Sequence, residues 1–438
     1  MSGFVLQGPD GSHRLRINIA HGFVILAFTA LTFDPIIGSP SAAIFLLCGF
    51  ALLVTDFGGS LHTLARWWPM LILPAYCLIS TLWSQFPGNT LRYSIQLTIT
   101  LALAVIIAQR VSPRSMLRIM FGIGALSMLA SLVLSRGASG AAWQGFFGSK
   151  NAFSAAISVF ALTSMGVLLD ARSPRWLRGL GLIGVLGAGP LLVKAQSAGA
   201  LITIGPCLTA MLAIKALRVL TAKQKLFLVL VGAFLAVAAA VVAISFGDQI
   251  LAAVLETSGK DATLTGRTDL WAFGRSFIAE HPLWGVGYRA FWVPGYAPAE
   301  QLWAMFGEPS GAGFNFHDLY ISNAVDLGLV GIGIEVAIIY VALALAGFLA
   351  IARPSGLTAF YFGLQLLLVL RSFVEVEVFF EFSVRSILVY CTLIYAVRAV
   401  SEWAAEARAK RAAAERRTLP TAGSLIGQPL SQRRYRHG

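Results

Sequence analysis

The side chains best suited to chemistry in this chain lie between Thr265 and Asp326, the one long interruption in an otherwise apolar sequence. Gly266-Arg267-Thr268-Asp269 opens the stretch, a turn-rich run from His281 to Tyr288 follows, and Asn315-Phe316-His317-Asp318 closes it. An arginine can clamp phosphate oxygens through parallel N–H donors. A histidine titrates near neutrality and can take a proton from a hydroxyl. Arg267 and His317 are therefore the candidate catalytic pair. Thr268 or Asp269 would cap a short helix running through Glu280, setting Arg267 at its positive end, where free backbone N–H groups also attract an anion. The plainer alternatives are an Arg267 stacked on Trp271 or paired with Asp269, and a His317 that only caps the segment re-entering the membrane. His281, beside a helix-ending proline, reads as structural.

Further cations lie outside this stretch or farther along it. Lys150, Lys194 and Arg371 are closely flanked by apolar residues, where a charge is costly unless it faces a cavity or a partner. With Arg289 and Arg136 they are candidate diphosphate-binding residues around an outward-opening cavity. The competing reading is that each snorkels to the membrane surface, which suits Arg92 and Lys260. Arg371 and Glu375 are four residues apart and could pair within one helix. Phe147-Gly148-Ser149-Lys150-Asn151 begins a span, with Ser149 or Asn151 as its cap.

Positioning these groups falls to membrane-spanning helices. The 438 residues are 57% hydrophobic and only 12% charged, against about a quarter charged in soluble chains. Apolar runs predict an all-α integral membrane protein of about twelve spans, at 17–33, 40–56, 67–83, 93–109, 115–135, 151–169, 177–193, 197–217, 225–246, 329–351, 356–372 and 383–400. This divides the chain into an N-terminus (1–16), nine spans (17–246), a large loop (247–328), three spans (329–400) and a basic tail (401–438). Most of the 33 lysines and arginines fall in the loops and tail that are cytoplasmic if the N-terminus is cytoplasmic. That bias puts both termini inside and the 247–328 loop outside. The +13 net charge is thus explained by topology and contact with anionic lipid headgroups, without nucleic acid. Ser401–Arg417 reads as a helix lying on the cytoplasmic surface. The four cysteines sit in apolar runs without paired spacing, and no carboxylate cluster suggests a metal site.

Three segments in order, GRTDLW, HPLWGVGYRAFW and FHDLYISNAVDLGLVG, together with GFFGSKNAFSA, resemble the outer-loop pattern of O-antigen ligases and Wzy-type polysaccharide polymerases, nearest to exopolysaccharide polymerases of the rhizobial type. The resemblance runs from Gly145 to about Glu377, and weakly to LWSQFPGNTL around Trp83. It implies a fold of the lipid-linked-sugar glycosyltransferase-C kind in a bacterial inner membrane, with the site facing the periplasm. It also implies transfer of glycan repeats from an undecaprenyl diphosphate carrier, with no cofactor, nucleotide sugar or metal. Arg267 matches the arginine that contacts the diphosphate and His317 the histidine that serves the acceptor hydroxyl. Lys150 falls on the family's Lys-Asn element, and Arg371 resembles an outer cation near the last spans. Where ligases carry a Ser-Arg pair, this chain reads LVKAQSAGAL, so Lys194 would supply that charge. Polymerisation of lipid-linked repeats is the leading expectation, with a chain-length regulator or export machinery as partner. A ligase of the same fold and a transporter of lipid-linked sugars are the alternatives.

Overall fold

The computed structural model describes residues 3–7, 14–135, 142–221, 223–228, parts of 230–245, 261–308, 311 and 313–418. Its body is a bundle of helices. Gly3–Gln7 and Arg14–Asn18 form an antiparallel hairpin ahead of it, a feature that the polar N-terminus did not announce. Predicted spans one to eight and ten to twelve each coincide with a helix, a bent pair or a nearly continuous helical segment; the ninth lies largely outside the described residues. Seven of the described helices are long and apolar enough to cross a membrane, or eight if the pair Pro40–Val54 and Phe57–Arg66, bent by 98°, counts as one span. Ile19–Thr32, Trp68–Leu82 and Gly356–Ser372 are shorter apolar helices. The bundle turns large apolar side chains outward, among them Leu47, Phe50, Trp176 and Ile202. That exterior suits lipid and not water.

Small residues let the spans approach closely. A Cβ on Gly181 would fall 2.8 Å from the carbonyl oxygen of Ser164, and one on Gly184 would overlap the Ser164 side chain. Helices Lys150–Leu169 and Arg175–Ala195 therefore pack backbone against backbone, as glycine-faced helices do in membranes. The first of them starts where Ser149 accepts the amide N–H of Ala152 at 3.1 Å, satisfying one of its unpaired donors. Because the two helices run in opposite directions, Lys150 and Lys194 come to the same end of the bundle. The tail is not a separate surface helix: Val384–Thr418 is continuous. Trp403 meets the Phe348 ring, and Glu406 pairs with Arg353.

The helix Leu319–Ala352 breaks at Gly328 (φ +66°). Asn323 donates to Glu335 at 2.7 Å across that break, although twelve residues of straight helix would separate them by about 18 Å. Carbonyls and N–H groups freed at the break pair with the His281–Tyr288 run. Val286 N–H donates to Val325 O (3.1 Å), Gly287 N–H to Asp326 O (2.8 Å) and Leu329 N–H to Pro282 O (2.8 Å). The Asp326 carboxylate accepts the backbone N–H groups of Arg289 and Phe291 at 3.1 and 3.2 Å. A Cβ on Gly328 would overlap the Leu283 carbonyl, so the two strands of this backbone zipper meet only because the residue is glycine. Above it, Leu270, Phe277, Phe291, Leu302, Phe316 and Val325 form a small core of their own.

Candidate functional site

His317 stands immediately before the kinked helix. Asp318 caps that helix by accepting the N–H of Ile321 at 2.8 Å. Burial raises the Asp318 carboxyl above the usual carboxylate range, opposed by the N–H groups of Ile321 and Tyr320. His317 itself adopts a left-handed backbone (φ +49°), a strained setting for a residue with a Cβ. Its N–H donates to the Asn315 side chain at 2.7 Å, and Trp271 donates to the Phe316 carbonyl at 2.7 Å. These bonds aim the imidazole at Glu375, with Nδ1 3.2 Å from Oε2.

Arg267 reaches the same carboxylate, 3.4 Å from Oε1, and also donates to the Val374 carbonyl at 3.3 Å. The expected helix start is corrected: the helix is Asp261–Glu280, so Arg267 lies within it, and Thr268 and Asp269 do not cap it. Its positive end therefore does not explain Arg267. Arg267 is aimed instead by contact with the chain beyond Ser372. The alternative stack on Trp271 is also absent among the described residues, since that indole holds Phe316.

Glu375 was the residue that pattern reading missed. A pair with Arg371 four residues back requires a helix, and this helix ends at Ser372. Arg371 pairs with Glu377 instead, and past that end a third group joins Glu375: Asn151 donates to Oε1 at 2.7 Å. Asn151 thus serves the site, while Ser149 is the cap. One carboxylate collects Asn151, Arg267 and His317 from three separate elements.

Lys150 is exposed beside Asn151. Lys194, also exposed, lies 4.9 Å from the Trp143 ring centroid, and its carbonyl accepts the Trp143 N–H at 2.9 Å. Gly199, at the start of helix Ala198–Ala216, approaches the Val374 side chain, so this helix start also faces the cluster. Arg371 is placed differently. It is buried, and its Nε donates to Glu377 at 2.8 Å. Arg385 meets the other Glu377 oxygen at 2.7 Å. Burial works to raise the Glu377 carboxyl, but Arg385 and Arg371 outweigh it and hold it below its ordinary value. The expected open cation at Arg371 is thus a neutralised one. Arg289 pairs with Glu381 at 2.6 Å and lies over the Tyr93 ring. Desolvation works against the Arg289 charge, but the Glu381 carboxylate outweighs it and pushes the guanidinium further above its ordinary value. Arg136 lies outside the described residues.

Chemically, an ionised Glu375 can only accept hydrogen bonds. Facing Nδ1 of His317, it favours the tautomer with the proton on Nδ1, leaving Nε2 free to accept one. Two exposed lysines and Arg267 supply positive charge at the same end. Residues 183–334, which include Lys194, Arg267, Arg289 and His317, match the family model described as O-antigen ligase, Wzy_C. The chain is 32% identical over 361 residues to "Exopolysaccharide production protein ExoQ" of Rhizobium meliloti (strain 1021), across 78% of this chain and 79% of that protein.

Proposed function

The chain belongs to the O-antigen ligase family of multi-pass membrane proteins, and we propose that it polymerises undecaprenyl-diphosphate-linked oligosaccharide repeats into exopolysaccharide. The observation that carries this reading is Glu375, which joins the candidate base His317 to the candidate anion ligand Arg267. The site faces the periplasm of a bacterial inner membrane, with both chain termini in the cytoplasm, because the lysines and arginines crowd the opposite loops.

In this mechanism Glu375 orients His317, and Nε2 takes the proton from the acceptor sugar hydroxyl as that oxygen attacks the anomeric carbon. The glycosidic C–O bond to the carrier breaks, and its electron pair leaves on the diphosphate. Arg267, Lys150 and Lys194 stabilise that developing charge. Arg371 and Arg289, committed to Glu377 and Glu381, position the segment that carries Glu375. Direct displacement inverts the anomeric carbon, and neither metal nor nucleotide sugar takes part. A chain-length regulator or export machinery would act on the product.

Polymer length in cells carrying His317→Ala or Arg267→Ala tests the reading. Loss of polymer with single lipid-linked repeats accumulating is expected; full-length polymer at normal protein abundance would sink it. The family model favours a second reading, in which the same site transfers a finished glycan to lipid A core or another acceptor. Long unattached chains in the variants would select that one.

A further inference from the structure

We propose that the open cleft beside the Gly328 kink is a carbohydrate subsite, gripping the glycan strand away from its reacting end; this rests on the glycan-transfer reading above. The cleft measures about 640 Å³ and is lined by Trp83, Gln85 and the run from Glu280 to Val286. Trp83 and Trp284 form its aromatic wall, ring centroids 5.5 Å apart, with Tyr76 5.9 and 6.5 Å from the two. The polar edges of Trp83 and Tyr76 are already used. The Trp83 indole N–H donates to the Trp284 carbonyl at 3.0 Å, and the Tyr76 hydroxyl donates to the Leu327 carbonyl at 2.9 Å. What remains of those two is ring face, and Trp284 keeps 52% of its surface exposed.

Three polar side chains complete the cleft. Gln85, Glu280 and His281 are exposed, and none of their side chains makes a hydrogen bond or ion pair among the described residues. Flat aromatic faces match the C–H faces of a sugar ring, while an amide, a carboxylate and an imidazole match its hydroxyls. No lysine or arginine lines the cleft, so it is not a second diphosphate seat. Its floor is the segment zipped to the kink, which fixes the wall before any ligand arrives.

The placement sets what the cleft would hold. Glu280 and Arg267 are thirteen residues apart on one helix, about 20 Å along its axis. A glycan reaching from the candidate site to the cleft therefore spans several sugars, so the cleft serves chain retention and not bond formation. Tryptophans at a membrane surface also serve as interfacial anchors, and the test separates the two roles.

Purified full-length protein is titrated with carrier-free oligosaccharide fragments of the cell's own exopolysaccharide while tryptophan emission is read. Saturable quenching is expected in the wild type and equally in His317→Ala, with affinity at least about tenfold lower in Trp284→Ala and Glu280→Gln. In cells, those two variants should make shorter chains at an unchanged rate of first linkage. Equal binding and wild-type chain length in both would overturn the proposal, as would emission that responds to lipid composition but not to oligosaccharide. If Trp284→Ala fails to accumulate, Glu280→Gln and His281→Ala, both at exposed positions, decide the matter. Loss of the glycan-transfer reading would show separately, as polymer unaffected by His317→Ala.

Discussion

Nδ1 of His317 stands 3.2 Å from Oε2 of Glu375, and the two residues lie 58 positions apart in the chain. One is fixed by the start of the kinked helix, the other by the end of Gly356–Ser372. The imidazole is thus held by two elements that meet only in the folded bundle. Glu375→Gln keeps the shape and removes the charge. A neutral amide can donate to Nδ1 and so stabilise the wrong tautomer. Polymer synthesis should fall about 10- to 100-fold, as for orienting partners of other histidines. His317→Ala should cost about 10²–10⁴-fold. Rates in membrane vesicles, corrected for protein abundance, check both.

Most helix positions were legible because apolar runs are a local signal, and Arg267 and His317, singled out by their chemistry, do meet on one carboxylate. Glu375 itself was not legible. Its spacing from Arg371 imitates a helical pair, and only the helix end at Ser372 sends it elsewhere. The start of the Arg267 helix was misplaced for a similar reason. Thr268 and Asp269 favour caps, but nothing obliges a helix to begin there when the residues before them continue it. The zipper between residues 282–287 and 325–330 is made of backbone groups, and only its glycines mark it in the sequence, without saying which two segments pair.

That zipper predicts an asymmetry between two glycines of one helix. Gly328→Ala places a Cβ on the Leu283 carbonyl and also forces a left-handed backbone, the latter costing about 1–3 kcal/mol alone. Gly333 has open space around its Cβ position, and alanine there should be neutral or slightly stabilising. Thermal unfolding in detergent should show a marked loss for Gly328→Ala and none for Gly333→Ala.

Arg371 and Glu377 form a buried pair, and the partly exposed Arg385 meets the same carboxylate. Glu377→Gln leaves two guanidinium groups with no anion between them. Removing one member of such a buried set typically costs about 3–5 kcal/mol. Arg371→Met alone should also destabilise, whereas the Arg371→Met, Glu377→Gln pair should recover part of the loss. A double-mutant cycle on melting temperature measures that coupling.

Acid should act on the protein through a second carboxylate far from the site. Asp170 accepts Arg114 Nε at 2.8 Å, the Ser173 hydroxyl at 3.2 Å and the Arg172 N–H at 3.3 Å. Burial works to raise its carboxyl, but Arg114 and these N–H and O–H donors hold it below the ordinary 3.8. A folded-state value below the unfolded one means that the unfolded chain binds the proton first. Stability from Asp170 is then fully present above about pH 5 and drains away as pH falls through the ordinary carboxylate value toward the folded one. Glu377, depressed for the same kind of reason, adds to the same slope. Asp170→Asn should therefore lower the melting temperature at pH 7 yet flatten its decline between about pH 5 and 3. Melting curves across that range, on wild type and variant in one detergent, decide it. An unchanged slope in the variant would show that Asp170 does not carry the acid sensitivity.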